Sequence, residues 1–534
     1  MTKANRRKID QSLRLAVKNV ATFGDTDIFP TFLDKYACYD NEEDVISELL
    51  KVHRDFDRNL ESFAPDNITL LAPLGYTSFR WATQIDPIWN IYLLGLILHI
   101  APAIERSRLA AEKKTVFSYR FNPKLSSGHL FTDSTWSDYK RRAIELSENH
   151  KYVLVTDIAD FYHRIAHHRL DNELSRIESS DTETTKRIMK LLGKFSHTRS
   201  YGLPVGGPSS RILAELALKP IDTHLDMRSI VFCRYVDDYH VFANSKEDAH
   251  KHLARLADML FNEGLSLQKN KTRIMETAEL LEVHARLEGD SDKQGDERAL
   301  MRISLKYDPY SPTAEEDYEV LKAAVSSIDI AGILLRETSK TNIDAAVTKQ
   351  AIGAVKALPQ AQKEDAISSL LDQRNVEVLA PVFIHILRLL RDVYSELSEA
   401  KQKLVDERII EMLEAESYIT NNELTLSYVV QLLGRSKTNN KERLLIKTYD
   451  IVRSSLVRRE IILVMAEWGC TYWLTGLLRQ FSTLSRWERK AIIRASYSLG
   501  DEGSHWRKNV KNGFSPGEKI VQVWAQNKVQ AKSR

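Results

Sequence analysis

The stretch Val231-Phe232-Cys233-Arg234-Tyr235-Val236-Asp237-Asp238-Tyr239-His240-Val241-Phe242 sets two adjacent aspartates between runs rich in β-branched and aromatic residues. Such runs predict two short strands, with the acidic pair in the tight turn between them. A hairpin tip is a poor place to bury charge and a good place to present two carboxylates to a metal ion. That chemistry needs a further carboxylate from elsewhere in the chain.

Upstream, Tyr152-Val153-Leu154-Val155 is a near-continuous apolar run, the mark of a buried strand, and it ends at Asp157. Alone, an acid at a strand end is more often a helix cap than a ligand. Downstream of the hairpin, Ser245 followed by Asp248 predicts a cap for a helix over Ala249 to Asn262. Gly264-Leu265-Ser266-Leu267 then turns into another strand, and Lys269, Lys271 and Arg273 return positive charge towards the acids. Strand, helix, hairpin, helix, strand is a split β-α-β order. In that topology the first strand lies beside the hairpin, so Asp157 converges with Asp237 and Asp238.

Between these parts lies Gly202-Leu203-Pro204-Val205-Gly206-Gly207-Pro208-Ser209-Ser210, a glycine-proline loop opening the helical Arg211 to Lys219. Exposed N–H groups at such a loop suit phosphate or a template backbone; the plainer reading is a connecting turn with a capped helix. The loop has neither Walker spacing nor a GxGxxG pattern.

The remaining sequence bounds the context. A length of 534 residues allows two or three domains with substantial cores. A net charge of +3 is too small to establish a nucleic-acid partner. Cys38, Cys233 and Cys470 lie too far apart for a CxxC zinc site or a disulfide framework, so a reducing, cytoplasmic setting is expected. Met1 to Asp10 lacks the apolar core of a signal peptide, and no membrane partner is expected. Ile91 to Ile104 is too short to span a bilayer and predicts a buried helix, with Asp86-Pro87 at its start. Arg120, in the extended Val116 to Phe121, is a candidate to pair bidentately with a triphosphate; the plainer alternative is a solvated arginine on a strand edge.

Gly289 to Glu297 reads as a polar linker before a last strand, Met301 to Leu305. From Thr313 onward amphipathic helix pairs recur at roughly 35–45 residues, which predicts HEAT-like stacking although no clean repeat is countable. Arg453, Arg458, Arg459, Arg486, Arg489 and Arg494, with Trp487 and Tyr497, suggest a surface for single-stranded nucleic acid. Exposed arginines around buried aromatics are the better reading.

The set Asp157-Ile158-Ala159-Asp160-Phe161-Tyr162, Gly202-Leu203-Pro204-Val205-Gly206, Tyr235-Val236-Asp237-Asp238 and Leu267 through Lys271-Thr272 resembles the ordered palm motifs of reverse transcriptases. The resemblance implies that Asp157, Asp237 and Asp238 are catalytic and hold two Mg²⁺ ions. Asp157 and Asp237 would be the strict ligands, Asp238 a support, and the carbonyl of Ile158 would complete the sphere. It further implies a nucleotide pocket of Asp160, Phe161, Tyr162, Pro204, Val205, Gly206 and Lys271, joined by Arg120. Tyr162 matches the aromatic gate against a ribose 2′-hydroxyl, and Lys271 a proton donor to the leaving group.

Templated enzymes of this family usually carry glutamine where Val205 stands. The wording of this loop, with Gly24-Asp25-Thr26-Asp27-Ile28-Phe29-Pro30, Ser118-Tyr119-Arg120 and Tyr307-Asp308-Pro309-Tyr310-Ser311, resembles bacterial abortive-infection and defence-associated reverse transcriptases. That group implies an α+β fold: fingers over residues 1–150, a split β-α-β palm over 151–306, and an all-α HEAT-like domain over 307–534 in place of the thumb. It implies antiphage DNA synthesis from deoxynucleoside triphosphates, untemplated or briefly templated, in some members primed from the protein itself. Some members work with a non-coding RNA and several form homo-oligomers. Tyr307, Tyr310, Tyr394, Tyr418, Tyr428, Tyr449, Tyr472 and Tyr497 are formal priming candidates, and nothing in the sequence selects among them. The alternatives are conventional RNA-templated synthesis and an inactive RNA-binding scaffold.

Overall fold

A computed structural model of the chain describes residues 3–26, 28–132, 136–177, 182–196, 199–282, 295–302, 322–325 and 328–532. The Tyr307 to Ser311 motif, with its two tyrosines, and residues 303–305 of the expected last strand lie outside them. The chain forms two units: residues 1–69, 82–289 and 511–534, and residues 70–81 and 290–510. These units cut across the three regions read from sequence. The C-terminal helix Pro516–Lys532 belongs to the first unit, where Trp524 Nε1 donates to Asp40 at 2.7 Å and its ring stacks on Tyr36.

In the first unit, helix α1 (Lys3–Phe23) packs along helix α2 (Pro87–Ser107). Helix α2 starts where Asp86-Pro87 predicts, but extends beyond the expected apolar run to 21 residues. It is long and apolar enough to cross a membrane by length and composition alone; 83% of its apolar window is buried inside the protein. A helix apolar all round is one that is packed all round. Strands β1 (Ile68–Leu74) and β2 (Ser78–Gln84), whose residues 70–81 are counted with the second unit, form one two-stranded sheet, and β3 (Phe121–Lys124) and β4 (His129–Phe131) form another. The expected strand over Val116 to Phe121 is broken: Val116 bridges to Arg234, and Tyr119 then turns into the left-handed region at φ 46°.

The central sheet has the order β6-β7-β5-β8, with β5 (Tyr152–Asp157), β6 (Phe232–Tyr235), β7 (Asp238–Ala243) and β8 (Arg273–Glu276) all antiparallel to their neighbours. Helix α3 (Trp136–Ser147) covers one face. There Tyr139, Ala143 and Leu146 pack with Val153, Cys233, Phe242 and Met275. Because side chains alternate along a strand, Phe232 and Arg234 point to the other face, where helix α4 (Pro208–Met227) lies. Helix α5 (Lys246–Asn262), capped by Ser245 Oγ accepting from the Asp248 amide at 3.0 Å, packs on β5, β7 and β8. Covered on both sides, β5 has no reason to alternate, which explains its continuous apolar run. Cys38, Cys233 and Cys470 are buried thiols.

The second unit is helical among its described residues beyond the β1–β2 segment. Helix Gly295–Arg302 occupies the end of the expected linker and the first residues of the expected strand, overturning both there. The helices α6 (Ala345–Ala354), α7 (Phe383–Val393), α8 (Glu423–Leu433), α9 (Ser455–Glu467) and α10 (Arg486–Ala495) pack in series, each on the next. Asp344, Asn422 and Ser485 cap three of their N-termini with side-chain oxygens, satisfying amides the helices leave unpaired. Polar links cross the series: Arg391 Nη1 donates to Gln431 at 2.8 Å, and Gln431 Nε2 to Glu460 at 2.9 Å. Of the preferred reading here, exposed arginines around buried aromatics, the buried aromatic Trp487 is found, but one of the arginines is buried with it. Arg459 and Trp487 are both buried, with the guanidinium 4.8 Å from the ring centroid.

One close approach fixes the α1–α2 crossing. A Cβ on Gly95 would lie 2.5 Å from Leu13 Cδ2 and 3.3 Å from Leu13 Cα, and Leu13 is wholly buried. Gly95→Val should therefore destabilise the first unit by about 1–3 kcal/mol through overpacking. Urea unfolding of the variant beside the parent measures it, and equal midpoints would contradict the packing account.

Candidate active site

Three carboxylates meet at one end of the central sheet. Asp157 closes β5 directly opposite Asp238, the first residue of β7. Asp237 precedes it in the hairpin loop, and its carbonyl accepts from the Ile158 amide at 3.2 Å. The register corrects one detail of the sequence reading. Tyr235 pairs with Asp238, so the two-residue loop is Val236-Asp237, and Asp238 belongs to the strand. Like charges facing one another across neighbouring strands are unfavourable. Burial first, then the Asp157 charge, pushes Asp237 up to about 7 and Asp238 up to about 6.

Lys271 answers part of this charge. It follows α5 in a short 3-10 turn, and its ammonium donates to Asp157 Oδ2. That hydrogen bond is the main cause raising the Lys271 pKa, so the group is a proton carrier in its charged form. The other oxygen of Asp157, Oδ1, is buried with no hydrogen-bond partner. Among the described residues no three metal-binding side chains already close on one point; carboxylates repel, and the Lys271 ammonium stands on Asp157 where a cation would. An orphaned buried carboxylate oxygen beside two acids with raised pKa values is an oxygen donor set suited to a hard divalent cation.

The hairpin loop is strained. Val236 has φ 56°, a conformation a β-branched residue adopts only when its surroundings enforce it. Both of its backbone groups are held from the α4 side of the sheet. Ser118 Oγ accepts from the Val236 amide at 2.9 Å, and Arg234 Nη1 donates to the Val236 carbonyl at 2.7 Å. Arg234 is fully buried, and its remaining donors reach Asp222 (2.6 Å and 2.9 Å) and Glu215 (2.8 Å) of α4. Glu215 also takes Arg108 Nη2 at 2.6 Å and the Ser118 hydroxyl. The two carboxyls diverge. Burial works to raise Glu215, yet Arg234 and Arg108 outweigh it and hold the group below the usual range. For Asp222, burial outweighs Arg234 and the group rises.

The other expected site residues divide. Asp160 adopts the left-handed region at φ 48° before the short helix Phe161–Arg164, and Phe161 is buried. The Tyr162 carbonyl accepts from the Leu203 amide at 2.7 Å, tying the aromatic segment to the glycine-proline loop. Burial is the largest cause raising the Tyr162 hydroxyl pKa, followed by Tyr119, with which it hydrogen-bonds; the nearby charge of Asp237 adds to the rise. Pro204 and Val205 line a small crevice with Asp25, Gln84 and Asn90, while Gly206 supplies a positive φ of 120°.

Arg120 is elsewhere. It is buried, pairs with Glu105 at 2.8 Å and donates to the carbonyls of Val116 and Leu109, so its donors are spent on the segment that follows α2. The guanidinium near the site is Arg211, in the first turn of α4, 5.2 Å from the Tyr119 ring centroid and close enough to lower the pKa of Tyr162. The sequence reading missed Arg211 as it missed Ser118, Glu215 and Arg234. Its one signal was its place three residues after Pro208 at a helix start beside a glycine-proline loop. Of the tyrosines weighed as primers, Tyr394, Tyr428 and Tyr449 are buried, whereas Tyr418 and Tyr472 are exposed.

Residues 107–297 match the family model described as reverse transcriptase (RNA-dependent DNA polymerase). This stretch is a reverse transcriptase domain. It spans the three carboxylates, the glycine-proline loop and Lys271, and it makes the protein a nucleotidyltransferase of the RNA-directed DNA polymerase type. Among solved structures the chain is similar to apo telomerase from Candida tropicalis, with 10% identity and a TM-score of 0.28 over 67% of this chain and 74% of that one. It is similar also to Candida albicans telomerase in complex with a fragment of telomeric RNA, with 9% identity and a TM-score of 0.28 over 76% and 71% of the two chains. No curated protein matches the chain.

The buried ion network of this domain yields a stability test. Arg234→Met leaves Asp222 and Glu215 short of their shared partner in a dry interior and should cost about 3–5 kcal/mol. Ser118→Ala should cost about 1–3 kcal/mol, because the Val236 amide loses its acceptor. Chemical unfolding measures both, and a loss for Ser118→Ala exceeding that for Arg234→Met would contradict the ranking.

Proposed function

We propose that the protein is a divalent-metal-dependent DNA polymerase that extends a 3′-hydroxyl with deoxynucleoside triphosphates, Asp157, Asp237 and Asp238 being its metal-binding carboxylates. The observation that carries this reading is the partnerless Oδ1 of Asp157, buried beside two carboxyls whose ionisation is held back by burial and then by that same aspartate. Two Mg²⁺ ions bound there, with the Ile158 carbonyl as a further ligand, would activate the attacking hydroxyl and offset the charge developing on the phosphate.

The protein's own groups have separable tasks. The Lys271 ammonium holds its proton against Asp157 and becomes available to the departing pyrophosphate once the carboxylate is otherwise engaged. Arg211 provides the guanidinium for the triphosphate in place of Arg120, since it lies beside the Tyr119–Tyr162 pair. Tyr162, fixed by its hydroxyl to Tyr119 and by its carbonyl to Leu203, offers a ring edge against which a ribose 2′-hydroxyl would collide. Asp160, Phe161, Pro204 and Gly206 shape the backbone of that pocket.

Val205 supports a more specific reading. An apolar side chain stands where templated relatives place an amide, and the sequence resembles the defence group there and at Gly24 to Pro30. We therefore read the activity as antiphage synthesis of single-stranded DNA with little or no template. The serial helices act as a HEAT-like array in the thumb's place, in a cytoplasmic, self-associating protein that in this reading engages a non-coding RNA. Copying of an RNA template is the competing reading, favoured by the family model's description. Sequencing the product separates them, because a complementary product follows only from copying.

Asp237→Asn should abolish nucleotide incorporation while leaving the fold intact. The sign is clear: a carboxyl raised from 3.8 to about 7 is disfavoured in its charged form, so it costs the folded state stability as pH rises through that window. The amide removes that cost, and thermal unfolding at pH 7.5 should occur no lower than in the parent. Robust incorporation by the variant would overturn the assignment. Separately, Tyr162→Ala should raise ribonucleotide use by tenfold or more relative to deoxynucleotides, a loss of steric exclusion of about 1.4 kcal/mol. Competition between labelled nucleotides measures it, and unchanged sugar selection would place the gate elsewhere.

A further inference from the structure

Five large apolar side chains stand exposed along the β1–β2 hairpin: Leu71, Leu74, Tyr76, Phe79 and Trp81. The two faces of the hairpin differ. Ile68, Leu70 and Ala72 of β1 and Ala82 and Gln84 of β2 are buried, while Thr69 and Leu71 between them are exposed. The Thr69 and Thr83 hydroxyls lie 3.2 Å apart, which sets these two residues opposite each other on the outward face. Two residues further along each strand, Leu71 comes opposite Trp81, and Phe79 follows on the same face. Phe79 is 59% exposed and Trp81 50%. Their positions two residues apart on one strand separate them by about 6.6 Å.

The face is held in place. Residues 70–81 belong to the helical unit, and two hydrogen bonds fix them there. At the tip the Tyr76 hydroxyl donates to the Val378 carbonyl at 2.7 Å. Asn422, the cap of α8, donates from Nδ2 to the Leu71 carbonyl at 2.8 Å. A platform fixed in this way loses little freedom when a ligand lies on it. Its charge has one sign. Ile68 to Gln84 contains no aspartate or glutamate, and its one charged residue is Arg80, between the two exposed rings. Alternation along β2 sends Arg80 to the other side of the strand. There it lies close enough to Lys349 of α6 to lower that ammonium's pKa, after burial has lowered it first.

An exposed apolar face of this kind marks a binding surface. A second copy of the chain is a poor occupant. A two-fold interface sets the patch against itself, so Arg80 meets its own counterpart with no carboxylate in the hairpin to answer either. A polyanion that carries flat apolar rings meets both features at once. We infer that this face is a stacking platform for single-stranded DNA: one base lies on Phe79, the next on Trp81 with Leu71 beside it, and Arg80 attracts the phosphates. Apolar side chains at these positions offer no partner to a ribose 2′-hydroxyl, which favours DNA over RNA. The strand is the one the polymerase extends; that identity rests on the proposed function, whereas the binding does not.

The test titrates the full-length protein, without nucleotides, against fluorescein-labelled oligodeoxyuridylate and follows anisotropy. Phe79→Ala/Trp81→Ala should weaken binding about tenfold or more, with an unchanged melting temperature. Phe79→Leu/Trp81→Leu should lose as much, because leucine keeps apolar contact and lacks the flat ring, whereas Phe79→Trp/Trp81→Phe should retain most of the affinity. Arg80→Gln should make the salt slope shallower by about 0.7. Equal affinity of parent and alanine pair, full affinity in the leucine pair, or no binding by the parent overturns the platform. Tighter binding of oligouridylate than of its deoxy counterpart overturns the choice of DNA. An alanine pair that sediments differently yet binds equally assigns the face to contact between copies and overturns the inference as well. Should the alanine pair fail to fold, photocrosslinking of the parent to an iododeoxyuridine oligonucleotide decides: attachment at Phe79 or Trp81 is expected, and attachment only elsewhere overturns it. Incorporation by the parent and by Asp237→Asn tests the polymerase reading separately, so either can fail without the other.

Discussion

Arg234 sits at the centre of the first unit with no exposure to solvent, and much of the candidate active site depends on how its donors are used. Its guanidinium joins β6 to α4 through Asp222 and Glu215, and joins both to the hairpin loop through the Val236 carbonyl. Glu215 extends the connection to Ser118 and Arg108, and Ser118 returns to the Val236 amide. A buried ion network of this kind adds little net stability, because removing its four charges from water costs about as much as their attraction returns. What it supplies is geometry. Each group has one arrangement in which all are satisfied, and in that arrangement Val236 is held at a positive φ from both sides.

That constraint matters because the loop carries Asp237. A β-branched residue at φ 56° would relax if only local forces acted, and relaxation would move Asp237 relative to Asp157. The carboxylates themselves push the same way, since burial first and then their mutual repulsion raise both acids of the hairpin. The site therefore holds two unfavourable terms, backbone strain and like charge. Both are tolerated because the network beneath the sheet and the β5–β7 register leave the chain no cheaper alternative. Lys271 relieves one side of the repulsion and leaves Asp157 Oδ1 without a partner.

The placement of the candidate site residues was legible in the sequence where they sit on strands and turns with strong local signatures. The apolar run ending at Asp157, the Val-Phe/Asp-Asp/Val-Phe pattern and the Ser245 cap each encode a local structure, and their order encodes the sheet. The loop register was less legible, because Val236 in a left-handed conformation contradicts its own propensity and depends on Ser118 and Arg234, which pair with it at very different separations in sequence. Arg120 and Arg211 show the same limit. Both are arginines near motif residues, and only the position of Glu105 decides that the first is buried in an ion pair. The return of the C-terminal helix to the first unit, through Trp524 and Asp40, leaves no periodic trace at all.

The helical unit applies the same economy to a different end. Along its series of helices, polar side chains are spent on register: Arg391 reads Gln431, Gln431 reads Glu460, and Arg459 lies on Trp487. Each link requires the next helix to stand at one height, because an amide or carboxylate displaced by a residue would meet an apolar neighbour. A stack of amphipathic helices held by apolar contact alone slides at low cost, since one leucine ridge resembles the next. Buried polar pairs remove that freedom.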